Sequence, residues 1–95
     1  MRYPIAIESG DAKHAYGVVV PDLPGCFSAG DNLDEALSNA REAILLHLDR
    51  LLDDGLSFPK PSAIEQLRRY RSYRGWTWAI VGVSELGLKA AIGGL

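Results

Sequence analysis

Apolar and polar residues alternate in the first third of the chain and then change to a helical period. Tyr3, Ile5 and Ile7 alternate with smaller or polar residues, which predicts a first strand with one buried face. Residues 14–20 repeat the alternation and predict a second strand. After a turn rich in proline and glycine, residues 26–30 predict a short third strand, antiparallel to the second.

From residue 32 onward the apolar residues recur at intervals of three and four, which is typical of an amphipathic helix. The positions of this stripe are Leu33, Ala36, Leu37, Ala40, Ala43, Ile44, Leu48, Leu51 and Leu52. Asn32 is a favourable N-cap, and Glu35 three positions later fits a loose capping box. Gly55 is suited to the left-handed residue that ends many helices. The pattern therefore predicts a long helix over residues 32–54.

The remaining segments predict a short helix and one more strand. Residues 58–61 form a stiff connector with two prolines, and Ser62 begins a short helix that reaches about residue 70. Residues 76–83 are apolar and predict the last strand. A strand that follows a long helix usually returns parallel to an earlier strand. We therefore expect an α+β fold of order β-β-β-α-(α)-β: a four-stranded mixed sheet, its fourth strand beside the first, with the long helix packed on one face.

One long helix cannot cover both faces of this sheet. The second face is expected to carry apolar residues where a solvated face would alternate to polar ones. The residues expected there are Ala6, Ala15, Val19, Thr77, Ala79, Val81 and Val83. We therefore expect part of this face, or the sheet edge, to pack against the short helix, a second copy or a partner protein.

Composition limits the classes of function. A chain of 95 residues forms one domain, and a net charge of −2 excludes a uniformly basic nucleic-acid binder while allowing a local basic patch. Cys26 is the only cysteine, so an internal disulfide is excluded. The first residues lack the apolar core of a signal peptide, and no apolar run approaches the ~20 residues that span a bilayer. The expected location is the cytoplasm.

Acidic residues are the first candidates for catalysis, because converging carboxylates can hold magnesium for nuclease chemistry. Glu8 ends the first strand, whereas Asp34 and Glu35 are already explained by the start of the helix. The last strand has no acid before Glu85. We therefore expect no catalytic residue, no metal and no cofactor, and keep a magnesium-dependent nuclease using these three acids as an alternative.

The two histidines and the cysteine stand apart from one another in the sequence. His14 starts a strand beside a turn, His47 lies at the edge of the helical stripe, and neither has the spacing of a metal site. Cys26 has no base at a predictable position, and a cysteine at the start of a strand is typically a small buried hydrophobe. These residues are expected to be structural.

Residues 68–74 form the one local charge anomaly, with four arginines and two tyrosines in seven residues. Arg68, Arg69, Arg71 and Arg74 could bind phosphates while the tyrosines stack on bases. Residues 31–54 contain seven acids and two arginines, so the basic segment could equally neutralise the acidic helix or stay solvated. Contact with RNA or with an acidic protein remains open at this stage.

Several runs resemble the N-terminal domain of HicB-type antitoxins over roughly residues 1–83. They are MRYPIAIE, YGVVVPDLPGCFSAGDNLDEALSNAREAI, LLDDG and the FPKPS connector. The resemblance implies a partly degraded ribonuclease H-like fold without nuclease activity. It also implies an antitoxin of a type II toxin-antitoxin system that binds and neutralises a HicA-like toxin, a small ribonuclease that cleaves messenger RNA. A homodimer or higher homo-oligomer is implied as well.

The resemblance also suggests how the chain is divided, and the antitoxin hypothesis leads us to expect the partner contact at the turn before the third strand. Residues 1–83 are the expected antitoxin domain, and residues 84–95 are an expected short tail without the DNA-binding module of most family members, so we do not expect direct DNA binding. The turn supplies the predicted partner-binding residues Asp22, Leu23, Pro24 and Phe27, with the leucine and phenylalanine as apolar anchors. An RNA-binding oligomer that uses the four arginines is a second alternative.

Overall fold

Three strands, a long helix and a fourth strand follow one another along residues 1–84, the part of the chain that the computed structural model describes. The elements are β1 (Arg2–Glu8), β2 (Tyr16–Val19), β3 (Phe27–Gly30), α1 (Leu33–Asp53), α2 (Ile64–Leu67), a 3-10 turn (Arg71–Tyr73) and β4 (Thr77–Gly82). The predicted order is confirmed. No helix among these residues is long and apolar enough to cross a membrane. The predicted tail, apart from Ser84, lies outside the described residues.

The four strands form one sheet in the order β3-β2-β1-β4, and every neighbouring pair is antiparallel. The predicted place of β4 beside β1 is confirmed, but the prediction of a mixed sheet was wrong. The ribonuclease H-like description of the fold stays a prediction.

The direction of β4 follows from the path of the chain after α1. The Tyr3 hydroxyl donates to the Pro59 carbonyl at 2.7 Å, so the connector first passes the end of the sheet where β1 begins. β4 then begins with Thr77 opposite Ile7, near the end where β1 finishes. Residues 60–76 therefore cross the length of the sheet before β4 starts. A simple crossover would make β4 parallel to β1, whereas this longer path makes it antiparallel.

The core lies between α1 and one face of the sheet. Asn32 accepts a hydrogen bond from the Glu35 backbone N–H at 2.8 Å, which confirms the predicted N-cap. At Gly30 a Cβ would collide with the backbone of Ala36, so glycine permits the close approach of β3 to the helix. The buried residues of this core are Tyr3, Ile5, Ile7, Val18, Val20, Leu23, Cys26, Ala36, Ala40, Ile44, Leu48 and Val81.

The sheet face away from α1, here called the outer face, carries Trp78 and Ile80 of β4, which were not the residues predicted for it. Val81 pairs with Tyr3 and is buried on the helix side. The prediction that Thr77, Ala79, Val81 and Val83 lie on the outer face was therefore wrong. Both sets of alternate positions in β4 are apolar, so the alternation could not indicate which set faces the helix.

Part of the outer face is covered by the connector between α1 and β4. The register places Trp78 beside Ala6 on this face, and Ala6 is fully buried. The Tyr73 ring meets the Trp78 ring edge-on, with centroids 5.4 Å apart, and Leu67 of α2 is buried. The contact with Trp78 comes from the 3-10 turn, beyond the predicted short helix of residues 62–70, and Ile80 stays 48% exposed.

Candidate binding surfaces

The turn between β2 and β3 folds back on itself and directs one of the predicted anchors inward. The Leu23 N–H donates to the Val20 carbonyl at 3.0 Å, and the Cys26 N–H donates to the Leu23 carbonyl at 2.9 Å. Leu23 is 0% exposed as a result, whereas Pro24 at the tip is exposed, and Gly25 takes a φ of 84° that suits glycine. The structure therefore places Leu23 in the core, where a partner cannot reach it without local unfolding.

Asp22 holds the connector against this turn. Its two carboxylate oxygens accept from the Ser62 backbone N–H at 2.8 Å and from the Ser62 hydroxyl at 2.6 Å. Burial, and secondarily the negative charge of Asp22, raises the pKa of the Tyr3 phenol. The polar group predicted for partner binding is therefore already engaged within the chain.

Phe27 is the predicted anchor that the structure brings to the surface. Its side chain is 63% exposed at the sheet edge, and Leu46 of α1 beside it is 68% exposed. Both line a shallow cavity of about 230 Å³ at the side of the helix. We call this area the Phe27 surface; it comprises Gly25, Phe27, Ala43, Leu46, His47 and Arg50.

Sequence reasoning missed Leu46 as a surface residue. The residue lies between Ile44 and Leu48, which are both buried in the core. Its helical position points away from the stripe that those two residues define. The position of Leu46 outside the apolar stripe of α1 was the sequence signal that could have predicted an exposed apolar residue here.

Cys26 also lines the cavity of the Phe27 surface but is only 4% exposed. Burial raises the pKa of its thiol, which keeps the sulfur protonated and weakly nucleophilic. The structure therefore agrees with the expectation of a small buried hydrophobe.

The three candidate nuclease acids do not converge. Glu8 belongs to the outer-face positions of β1, whereas Asp34 and Glu35 lie in the first turn of α1, across the sheet. Among residues 1–84 no group of three or more histidine, cysteine, aspartate or glutamate side chains could hold a metal ion. The Nδ1 atom of His14 instead lies 2.9 Å from the Asp11 carboxylate, at an exposed turn.

The four arginines surround an aromatic cluster next to the start of β4. The Tyr73 ring lies edge-on to Trp76 and to Trp78, with centroid distances of 5.5 and 5.4 Å. Residues 68–78 enclose a cavity of about 250 Å³, which we call the arginine pocket. Arg68 pairs with Glu65 at 3.0 Å. Within the described part of the chain the other three arginines have no carboxylate within 4.0 Å.

The two edge strands of the sheet differ in their free backbone groups. At the β3 edge, the Asn39 side-chain amide donates to the Ala29 carbonyl at 2.8 Å. At the other edge, Met1 and Val83 exchange two hydrogen bonds of 2.7 and 2.8 Å. In an antiparallel ladder every second residue bonds to the neighbouring strand, so Val83 and its alternate residues in β4 face β1. The N–H and C=O groups of Trp78, Ile80 and Gly82 therefore point away from β1.

Comparison with known proteins places the sequence among antitoxins. Residues 3–91 match the family described as "HicB_like antitoxin of bacterial toxin-antitoxin system". An uncharacterized 14.9 kDa protein of Haemophilus phage HP1, from its rep-hol intergenic region, is 46% identical over 83 residues, which cover 87% of this chain and 61% of the relative.

Solved structures show the same architecture. The antitoxin HicB of Burkholderia pseudomallei is 40% identical, with a TM-score of 0.79 over 88% of this chain and 64% of that one. A chain of the HicA3 and HicB3 toxin-antitoxin complex is 26% identical, with a TM-score of 0.73 over 88% of this chain and 99% of that one. The chain thus spans less than two thirds of the phage protein and of the Burkholderia antitoxin.

Proposed function

The chain belongs to the HicB-like antitoxin family of bacterial toxin-antitoxin systems, and from this premise we propose that it binds and neutralises a HicA-like ribonuclease toxin. The match of the family over residues 3–91 carries the proposal. It is supported by the likeness to a chain of a HicA3 and HicB3 complex. The proposed role is non-enzymatic, because an inhibitor needs only to cover its partner's working surface.

We place the toxin contact at the Phe27 surface. Phe27 and Leu46 line the same shallow cavity and are largely exposed and apolar, and burying each side chain fully is worth about 1.5–3 kcal/mol. A rigid aromatic side chain near the centre of a contact often dominates its binding energy. Pro24 is exposed and directly precedes Gly25 of this surface in the sequence.

The charged residue within the Phe27 surface is Arg50, so the attraction proposed for a toxin that handles RNA comes from acidic residues of α1 around this surface. Glu42 lies one turn before Leu46 on α1, and both residues are exposed. An enzyme that cleaves messenger RNA must bind a polyanion, so its working surface is expected to be basic. Acidic groups of α1 would then steer the encounter and favour the correct partner.

The test is co-purification with the toxin encoded beside this gene. We expect the wild-type chain to form a stable complex and to stop RNA cleavage, whereas Phe27→Asp and Leu46→Asp weaken the complex by about 100-fold or more, the equivalent of about 3 kcal/mol. Leu56→Asp is the matched control, because Leu56 is 56% exposed but lies outside the Phe27 surface. A wild-type chain that leaves the toxin free and active would contradict the proposal.

For the oligomeric state, we propose that a second copy pairs with the β4 edge. β4 has six residues, TWAIVG, without a charge or a proline, and such an edge favours pairing with another strand. An antiparallel pair around a two-fold axis at Ile80 places Trp78 opposite Gly82 of the second copy. The large side chain then faces the small one, which makes the edge complementary to itself.

A further inference from the structure

We infer that the arginine pocket, residues 68–78, is a binding site for single-stranded RNA. This inference is independent of the proposed toxin contact, because the pocket and the Phe27 surface share no residue. The site would take a polyanion whose bases are free to stack.

The first support is uncompensated charge. Arg69, Arg71 and Arg74 are exposed, and none has a carboxylate within 4.0 Å among residues 1–84. The sequence contains no aspartate or glutamate from residue 66 to residue 84. Three cations thus point to solvent on a chain whose net charge is −2.

The second support is the aromatic lining. Tyr70 is 62% exposed between Arg69 and Arg71, so its ring is free to stack on a base. Tyr73 contacts two tryptophan rings edge-on, and such contacts stabilise the aromatic lining of the pocket. Alternating cations and aromatic rings are the components of sites that bind single strands, where arginines neutralise phosphates and rings stack on bases.

The lining favours RNA over an acidic protein and a single strand over a duplex. The acidic side chains of a peptide offer carboxylates to the arginines but no aromatic ring that stacks on Tyr70. In a duplex the bases are already stacked on each other and unavailable to the ring. A flexible single strand satisfies both features of the pocket.

The experiment measures fluorescence anisotropy of a labelled single-stranded RNA of about 12 nucleotides, within the range of single-strand sites, with the chain purified without toxin. Three phosphate contacts predict a slope of about −2 for the logarithm of affinity against the logarithm of salt concentration. Raising salt from about 50 to 200 mM should therefore weaken binding about 16-fold. No binding at the lower salt concentration would overturn the inference.

Variants separate charge at the pocket from charge in general. Replacing Arg69, Arg71 and Arg74 by alanine should abolish the salt dependence, whereas replacing them by lysine should preserve it. The control variant Arg2→Ala, Arg41→Ala, Lys60→Ala removes the same charge at exposed positions elsewhere and should bind as the wild type does. Circular dichroism verifies that each variant is folded. Equal binding by the alanine variant and the wild type would overturn the site.

Two further measurements identify the ligand class. Tyr70→Ala should weaken binding by about 5-fold or more, because a stacking platform is lost. A polyglutamate peptide that displaces the RNA at equal charge concentration would overturn the inference in favour of an acidic protein. A duplex that binds as tightly as the single strand would overturn the stacking argument. Loss of toxin binding in Phe27→Asp, with RNA binding intact, would separate the two sites.

Discussion

The two edges of the sheet are built differently. At the β3 edge, α1 lies close to the strand, the Asn39 amide occupies the Ala29 carbonyl at 2.8 Å, and Phe27 projects beside Leu46. At the β4 edge, Trp78, Ile80 and Gly82 direct backbone groups outward, and no strand within residues 1–84 pairs with them. One edge therefore offers side chains to a partner and the other offers backbone.

This difference explains how one small domain can serve two kinds of contact. Side chains recognise a particular surface, since shape and charge vary from one partner to the next. Backbone groups recognise any strand of suitable geometry, and a second copy of the same strand is always present at the same concentration. The proposed toxin contact therefore lies on the β3 side, and the proposed self-association uses β4.

The largest expected effect on self-association comes from closing the β4 edge. Ile80→Pro removes only an N–H that points away from β1, and a proline is tolerated at such a position of an edge strand. In the proposed dimer this change deletes two hydrogen bonds, one per copy, worth about 1 kcal/mol each, which is about 30-fold in the dimer dissociation constant. Analytical ultracentrifugation measures the constant, and thermal melting verifies the fold.

The same variant also distinguishes the two edges. Ile80→Pro should leave the toxin complex intact, whereas Phe27→Asp should leave the dimer intact. If Ile80→Pro sediments with the same mass as the wild type, the second copy does not pair through β4. If it loses the toxin instead, the toxin occupies this edge, and the assignment of the two edges must be exchanged.

The connector that sets the direction of β4 gives the second prediction. Tyr3→Phe removes the donor to the Pro59 carbonyl and should lower the free energy of unfolding by about 1–2 kcal/mol, measured by urea denaturation. Burial raises the pKa of Tyr3 in the folded protein. The protonated phenol therefore stabilises the fold fully below the pKa of an unfolded tyrosine, about 10, and this stabilisation is lost as pH rises through the pKa of the folded state.

The Tyr3→Phe variant also serves as the control for this pH dependence of the wild type. Above pH about 10 the stability of Tyr3→Phe should fall less steeply than that of the wild type, because no phenol at position 3 ionises. Parallel curves for the two proteins over that range would show that Tyr3 does not link connector docking to pH.

Local signals in the sequence predicted the elements well. Asn32 and Gly55 define the two ends of α1, and their geometry is the expected one: an extended N-cap that accepts from Glu35, and a glycine at φ 70°. These features depend on residues a few positions apart. The predicted order of strands follows from turns of the same short range.

What the sequence could not predict depends on contacts between distant residues. The hydrogen bonds of Asp22 with Ser62, 40 positions away, help to hold the connector where it must cross the sheet, and the direction of β4 follows from that path. For the candidate site, Phe27 was predicted and is exposed, but Leu23 turned inward and Leu46 was missed. The burial of Leu23 depends on packing between elements, which a local pattern does not contain, whereas the exposure of Leu46 follows from its position outside the helical stripe.

The smallest expected effect tests whether the β3 edge is closed by one side chain. Asn39→Ala removes the donor to the Ala29 carbonyl, an exposed bond, and should lower the free energy of unfolding by about 0.5–1 kcal/mol in urea denaturation. The variant β3 edge would still lie against α1, so we expect no new self-association. Ser38→Ala, at an exposed neighbouring position of α1, is the control and should change stability little. If Asn39→Ala forms larger assemblies that Ile80→Pro does not prevent, then Asn39 alone keeps β3 from pairing, and the two edges differ by a single hydrogen bond rather than by the packing of the helix.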